Sequence, residues 1–246
     1  MIRRRILSLL RSSFPSVIAF TALSQGVVSA APIFVPNHSF ETPDVNFAGS
    51  FDSTPAAPWQ FTQTSPQQVG AFDNTAPGSP NYIDNVDGAQ VAYLFPGPGI
   101  SLFQDLSSPG ATFDIGKFYT LTVGAGGSSG LIDGSQLQLR LFYRDGQNNK
   151  VTVATSSYTF DPLLDPGEIN HLYDRSVASS TVQAGDAWAG KNIGIEISSP
   201  GTPAFAYWDV DNVRVEAVPE PSACLYACGG LMMLLAPRRR SARREG

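Results

Sequence analysis

Two carboxylates stand two residues apart in the stretch AFAYWDVDNVRVEA, residues 204–217, at Asp209 and Asp211. Read as a β-strand, the period of two puts Tyr207, Asp209, Asp211, Val213 and Val215 on one face and Trp208, Val210, Asn212 and Arg214 on the other. If the valine face is the core, each carboxylate on it must be paired, hydrogen-bonded or bound to a cation. Burying one alone costs several kcal/mol or drives its pKa up until it is neutral. Two chemistries follow. Hard oxygen ligands suit a structural calcium ion; a carboxylic acid kept un-ionised in an apolar pocket is a general acid, with Asp209 as the candidate. In a third reading both side chains end a strand in water. The acidity of the chain favours the cation, so Asp209 is expected to be ionised at neutral pH.

Other motifs carry less. GGSSG at 126–130 spells G-x-S-x-G, but a nucleophile elbow needs a helix after its serine, and Ser128 is followed by a strand pattern. DNVDG at 84–88 lacks the acidic ligand of a calcium-binding helix–loop–helix, since Phe95 stands eleven residues after Asp84. His38 and His171 are the only histidines, too few for a catalytic zinc or iron site in a domain without cysteine. NHS at 37–39 matches a glycosylation sequon by pattern alone.

The elements that must position the carboxylates are strands. In KFYTLTVGAG, Tyr119, Leu121 and Val123 alternate with threonines; in SQLQLRLFY, Leu137, Leu139 and Leu141 alternate with Gln136, Gln138 and Arg140; in NIGIEIS, Ile193, Ile195 and Ile197 share a face. RDGQNN at 144–149 supplies a turn. With 23 Gly and 19 Pro punctuating the chain and almost no helical periodicity, the pattern predicts an all-β fold, an antiparallel β-sandwich or jelly roll. The stretches 42–58 and 75–88 read as long loops at its rim, where function concentrates.

Both ends differ from the middle. Residues 1–30 have the layout of a secretory signal peptide: Arg3, Arg4 and Arg5, an apolar stretch, then small residues before a cut after Ala30. Serines and Gln25 interrupt the apolar stretch before it reaches the length of a span. Between 31 and 218 there are 7 Lys and Arg against 19 Asp and Glu, a formal charge of −12. That excludes nucleic acid as a partner and suits an extracellular module that binds a cation or faces saccharide, or simply a solvated acidic surface. The region holds one domain, 31–217, and no cysteine, because Cys224 and Cys228 lie in the tail.

VPNHSFE at 35–41 opens this domain and DVDNVRVE at 209–216 closes it, with PWQF at 58–61, VGAFDN at 69–74, DGAQVAYLF at 87–95 and FYTLTVGAG at 118–126 between. Together they resemble the domain of the hapalindole-type (Stig) cyclases, which many exported bacterial proteins share. The resemblance implies a carbohydrate-binding-module-like, galactose-binding-like jelly roll that binds calcium. It makes Glu41 and Asp211 the calcium side chains, assisted by carbonyls near Phe40. A second resemblance covers 218–246: the Pro219-Glu220-Pro221 triplet, the apolar Ala223 to Ala236 and the basic Arg238, Arg239 and Arg240 look like a PEP-CTERM sorting signal. It implies an exosortase as partner after signal peptidase, with the arginines on the cytoplasmic side of the inner membrane during a transient insertion. Fourteen residues make a helix of about 21 Å against a hydrocarbon core of about 30 Å.

Three functions fit. The first is a non-catalytic envelope or matrix protein that binds calcium and an exopolysaccharide or other glycan, with Trp59, Tyr82, Tyr143 and Trp208 as stacking candidates if exposed and as ordinary sandwich core otherwise. The second is a cyclase-like enzyme with Asp209 as its acid. The third is a purely structural adhesive component. An envelope address favours the first, so the chain is expected to be non-enzymatic.

Overall fold

The computed structural model describes residues 29–45, 51–52, 57–106, 111–161, 169–202 and 205–220. They form twelve strands: β1 (Ala31–Ile33), β2 (Phe51–Asp52), β3 (Gln60–Thr62), β4 (Val69–Asp73), β5 (Gln90–Leu94), β6 (Ser101–Asp105), β7 (Lys117–Gly127), β8 (Gln136–Arg144), β9 (Lys150–Thr159), β10 (Tyr173–Ala178), β11 (Gly194–Ser198) and β12 (Trp208–Pro219). No helix occurs among the described residues. The signal-peptide and sorting-signal readings lie outside them, except for Ser29, Ala30, Val218, Pro219 and Glu220.

The strands pair antiparallel in two sheets. One runs β10-β7-β12-β5-β4-β2, with β1 also on β12; the other runs β3-β6-β11-β8-β9. Their facing sides bury one core. The predicted alternation is what fills it: Leu121 and Val123 from β7, Leu137, Leu139 and Leu141 from β8, and Ile195 and Ile197 from β11, with Ile193 just ahead of it, are all fully buried there. Because side chains alternate across a strand, the residues between them are committed to the outer faces.

A second, smaller apolar cluster lies on the outer face of the larger sheet. Phe72, Val91 and Tyr93 of the sheet pack with Ile83 and Leu172, and Val86, Phe95 and Tyr207 border them. The stretch read as a rim loop at 75–88 covers this face. Asn74 holds Ile83 at both ends, its Nδ2 donating to the carbonyl (2.8 Å) and its Oδ1 accepting from the N–H (3.0 Å). Asp84 and Leu172 tie the loop to the segment at 170–172.

Candidate active site

Strand β12 carries the site and does not keep a simple period of two. Its register against β7 shifts between Asp211 and Arg214, and Asn212 sits in the left-handed region at φ 50°. The N–H of Val213 donates to the His38 carbonyl (2.9 Å). This bulge changes which side chains share a face. Trp208 and Val210 before it, and Val213, Val215 and Ala217 after it, all enter the core. The expected company of carboxylates and valines is therefore corrected: Asp209 and Asp211 are on the opposite face, beneath the loop.

Asp209 lies in the smaller cluster. It stands opposite Tyr93 on β5 and Gly126 on β7, and directly opposed residues share a face. Tyr93 thus flanks it on one side, while Gly126 leaves that flank without a side chain. Tyr207, two residues earlier, packs its ring 5.5 Å from Tyr93 and 5.2 Å from Phe95. The Asp209 carboxyl is 2 % exposed, and its Oδ1 has no hydrogen-bond partner. Burial pushes its pKa well above the ordinary carboxylate value. That direction runs against the expectation of an ionised Asp209, because burial favours the neutral carboxyl. Tyr207 is likewise pushed up to about 12, by burial first and then by Asp209, so its hydroxyl stays neutral.

Asp211 lies nearer the opening segment of the domain. Its Oδ2 accepts from the Asp87 N–H at 2.6 Å, and its Oδ1 is buried without a partner. Burial, opposed by the Asp87 and Asn212 N–H groups and reinforced by the Asp87 and Glu41 carboxylates, pushes its pKa up to about 8. Glu41 Oε1 accepts from the N–H groups of Ala89 (2.9 Å) and Gln90 (2.8 Å). The Phe40 carbonyl accepts from Gln90 Nε2 (2.8 Å), and its ring packs 5.2 Å from Trp59. Glu41 and Asp211 thus come together as a pair, with Phe40 beside them through Gln90. The unpartnered Asp211 Oδ1 is the atom that fits a cation. Glu41 Oε1 and the Phe40 carbonyl are already engaged, and among the described residues no group of three or more His, Cys, Asp or Glu side chains is placed around a metal.

The aromatic candidates do not form a surface. Trp59 is 2 % exposed and donates its Nε1 to the Asn37 carbonyl (2.9 Å); Trp208 is 1 % exposed and packs on Phe160. Both belong to the core between the sheets, Trp59 just ahead of β3 and Trp208 by the parity of β12, so neither serves as a stacking platform. Tyr143 is half-buried against the same core, and Tyr82 is half-buried in the covering loop. Ser128 accepts from the Tyr207 N–H (3.0 Å) as a turn residue. Pro219 pairs with Lys117, and Glu220 donates to the Gly116 carbonyl (2.9 Å); Pro221, Arg238, Arg239 and Arg240 lie outside the described residues.

Sequence reasoning missed Tyr93, Phe95, Gly126 and Gln90. Gln90 is 1 % exposed and its side chain joins three backbone groups, donating to Phe40 and Pro43 and accepting from Val45, while its own N–H donates to the Glu41 carboxylate. A polar residue opening the otherwise apolar QVAYL was the available signal.

Residues 31–216 match a family described as HpiC1-like, HpiC1 cyclase. Among solved structures, the apo form of a cyclase from Fischerella sp. is similar at 19% identity and a TM-score of 0.59, covering 78% of this chain and 98% of that one. A cyclase from Fischerella sp. TAU in complex with 4-(1H-indol-3-yl)butan-2-one is similar at 20% identity and a TM-score of 0.56, over 78% of this chain and 99% of that one. At such identities the likeness shows the fold. No curated protein matches the chain.

Proposed function

The chain belongs to the HpiC1-like cyclase family, and from that premise we propose that its jelly roll is a cyclase-type acid site on an exported protein, taking a small uncharged ring compound against Tyr93, Phe95 and Tyr207. The observation that carries this is the Asp209 carboxyl, buried among aromatic rings with one oxygen unpartnered. An un-ionised carboxylic acid donates where an ionised one only accepts. On a bound ring compound, its proton passes to a basic nitrogen, oxygen or double-bond carbon of the ligand, leaving the carboxylate beside Tyr93 and Tyr207. When the ligand's cation closes a ring and sheds a proton, Asp209 takes it back and the acid is restored. The neutral Tyr207 hydroxyl, which feels the Asp209 charge, offsets its burial during that interval. The indole ketone named with the Fischerella protein is a compound of the kind such a wall accepts.

Binding of 4-(1H-indol-3-yl)butan-2-one in deuterated buffer, followed by NMR, tests the reading. Saturable binding lost in Tyr207→Ala, with ring-carbon deuterium uptake lost in Asp209→Asn, is the expected result. Uptake unchanged in Asp209→Asn would remove the acid role.

The remaining parts of the reading are its setting. Calcium is proposed at Asp211, with Glu41 beside it, where a cation would compensate two carboxylates and fix the loop at 87–90. Signal peptidase and an exosortase are the proposed processing partners. The support is the order of PEP triplet, apolar run and arginines, which fits a mature domain in the envelope or outside the cell.

A further inference from the structure

The other sheet presents a charge pattern opposite to that of the domain. Four of the seven cations between residues 31 and 218, namely Arg140, Arg144, Lys150 and Lys191, gather on the outer side of the five-stranded sheet and at one end of it. Among the described residues, two carboxylates meet them. Arg140 and Lys150 both pair with Glu196, Lys150 Nζ at 2.8 Å from its Oε1, and Arg144 grips Asp105 through Nε (2.9 Å) and Nη2 (2.8 Å). Among the described residues, four cationic side chains thus gather around two carboxylates in a domain of formal charge −12.

The cations are also held in place. Lys150 Nζ stands 3.0 Å from the centre of the Phe103 ring, and the Arg140 and Arg144 guanidiniums lie 5.8 Å and 5.6 Å from that of Phe142. These rings form the floor and the charges the upper surface. Burial first, and then the neighbouring Arg140 and Arg144, push the Lys150 pKa down to about 7. A cation that loses affinity for its proton next to two others is one that an incoming anion would relieve.

Two open hollows flank this surface. One, of about 440 Å³, is lined by Asp105, Arg144, Asn148 and Lys191; the other, of about 250 Å³, by Thr62, Ser101, Gln138, Arg140, Glu196 and Ser198. Arg140 and Arg144 are four residues apart on β8, and their guanidiniums, both within 5.8 Å of the centre of the Phe142 ring, are no more than about 11 Å apart. A ligand that meets both carries more than one anionic group. Hydroxyl and amide groups beside each cation fit a ligand that carries hydroxyls as well as carboxylates. A nucleic acid would bring a far denser charge against an acidic domain.

We propose that this face binds a carboxylated oligosaccharide, with Arg140 and Arg144 each opposing a carboxylate and the hollows receiving the sugar hydroxyls. The site is separate from Asp209, on the opposite sheet. Isothermal titration of the purified chain with oligogalacturonate tests it, against the methyl ester of the same oligomer and inorganic polyphosphate. Expected are binding to the carboxylate form, its weakening about tenfold or more by raised salt, and a similar loss in Lys191→Gln and in Arg144→Gln with Lys191→Gln. Lys191 is exposed, so the single variant separates ligand contact from unfolding. No binding by the parent chain, equal binding of the ester, tighter binding of polyphosphate, or unchanged binding in the double variant would each overturn the proposal.

Discussion

Asp209 and Tyr93 face each other directly across β12 and β5, on the side of the sheet turned away from the core between the sheets. Its Oδ1 is buried without a partner, and among the described residues no ion pair holds it, so its burial carries a cost. Groups kept at such a cost are characteristic of functional sites.

The first prediction follows from that cost. Leu has the branched shape of Asp without its polar atoms, so Asp209→Leu removes an unsatisfied carboxyl and leaves no cavity. We expect a gain of about 1–3 kcal/mol, seen as a rise of several degrees in Tm, together with loss of any acid-dependent activity. A lower Tm in Asp209→Leu would mean that the carboxyl has a stabilising partner.

A second prediction concerns pH. The folded pKa values of Asp209 and Asp211 both lie above the ordinary value of 3.8, that of Asp211 at about 8. Between these limits the folded state holds protons that the unfolded state has released, so stability is fully present at low pH and is lost as pH rises toward 8. In EDTA, calorimetry should show Tm falling from pH 5 to pH 8, with a shallower fall in Asp211→Asn. Calcium should raise Tm at pH 8 more than at pH 5, because it competes with the proton for Asp211. At about 100 times its dissociation constant it would add roughly 2.7 kcal/mol; a Tm indifferent to calcium at pH 8 would remove the metal from the site.

How far the sequence disclosed this site depends on the residue. The alternation in β7, β8 and β11 was readable because one face of each enters the core and repeats faithfully. On β12 the same rule inverted the faces, because the bulge at Asn212 is a backbone event with one local signal, an Asp-Asn pair, which tolerates the left-handed region. Trp59 and Trp208 were legible as core or as surface, since an aromatic ring suits both, and the structure places them in the core. Glu196 and Lys150 are 46 residues apart, and only the register of β11, β8 and β9 brings them together.

The bulge gives a third prediction. A β-branched residue in the left-handed region is strained, so Asn212→Val should lower stability by about 1–2 kcal/mol, while Asn212→Gly should be nearly neutral. Urea unfolding of the two variants measures the difference. Equal stabilities would mean that β12 straightens, and the Val213 to His38 hydrogen bond would then be missing from amide exchange as well.

The last prediction concerns the tail, where the structure constrains what processing can do. Pro219 is the final residue of β12 and stands opposite Lys117, and the Glu220 N–H is bonded to Gly116. A protease needs a segment free to extend into its own cleft, and a backbone already paired in a sheet is withheld from it. Cleavage at the expected PEP triplet should therefore fall beyond Glu220, leaving β12 whole. Mass spectrometry of the exported protein in its native host should find a mature C terminus at or after Pro221 and no Arg238. Glu220→Ala, which leaves the Gly116 bond intact because it uses the backbone, should retain the tail if the side chain is what the exosortase reads. A mature form ending before Pro219 would show that β12 opens for processing, and one extending to Gly246 would show that the tail is kept as an anchor.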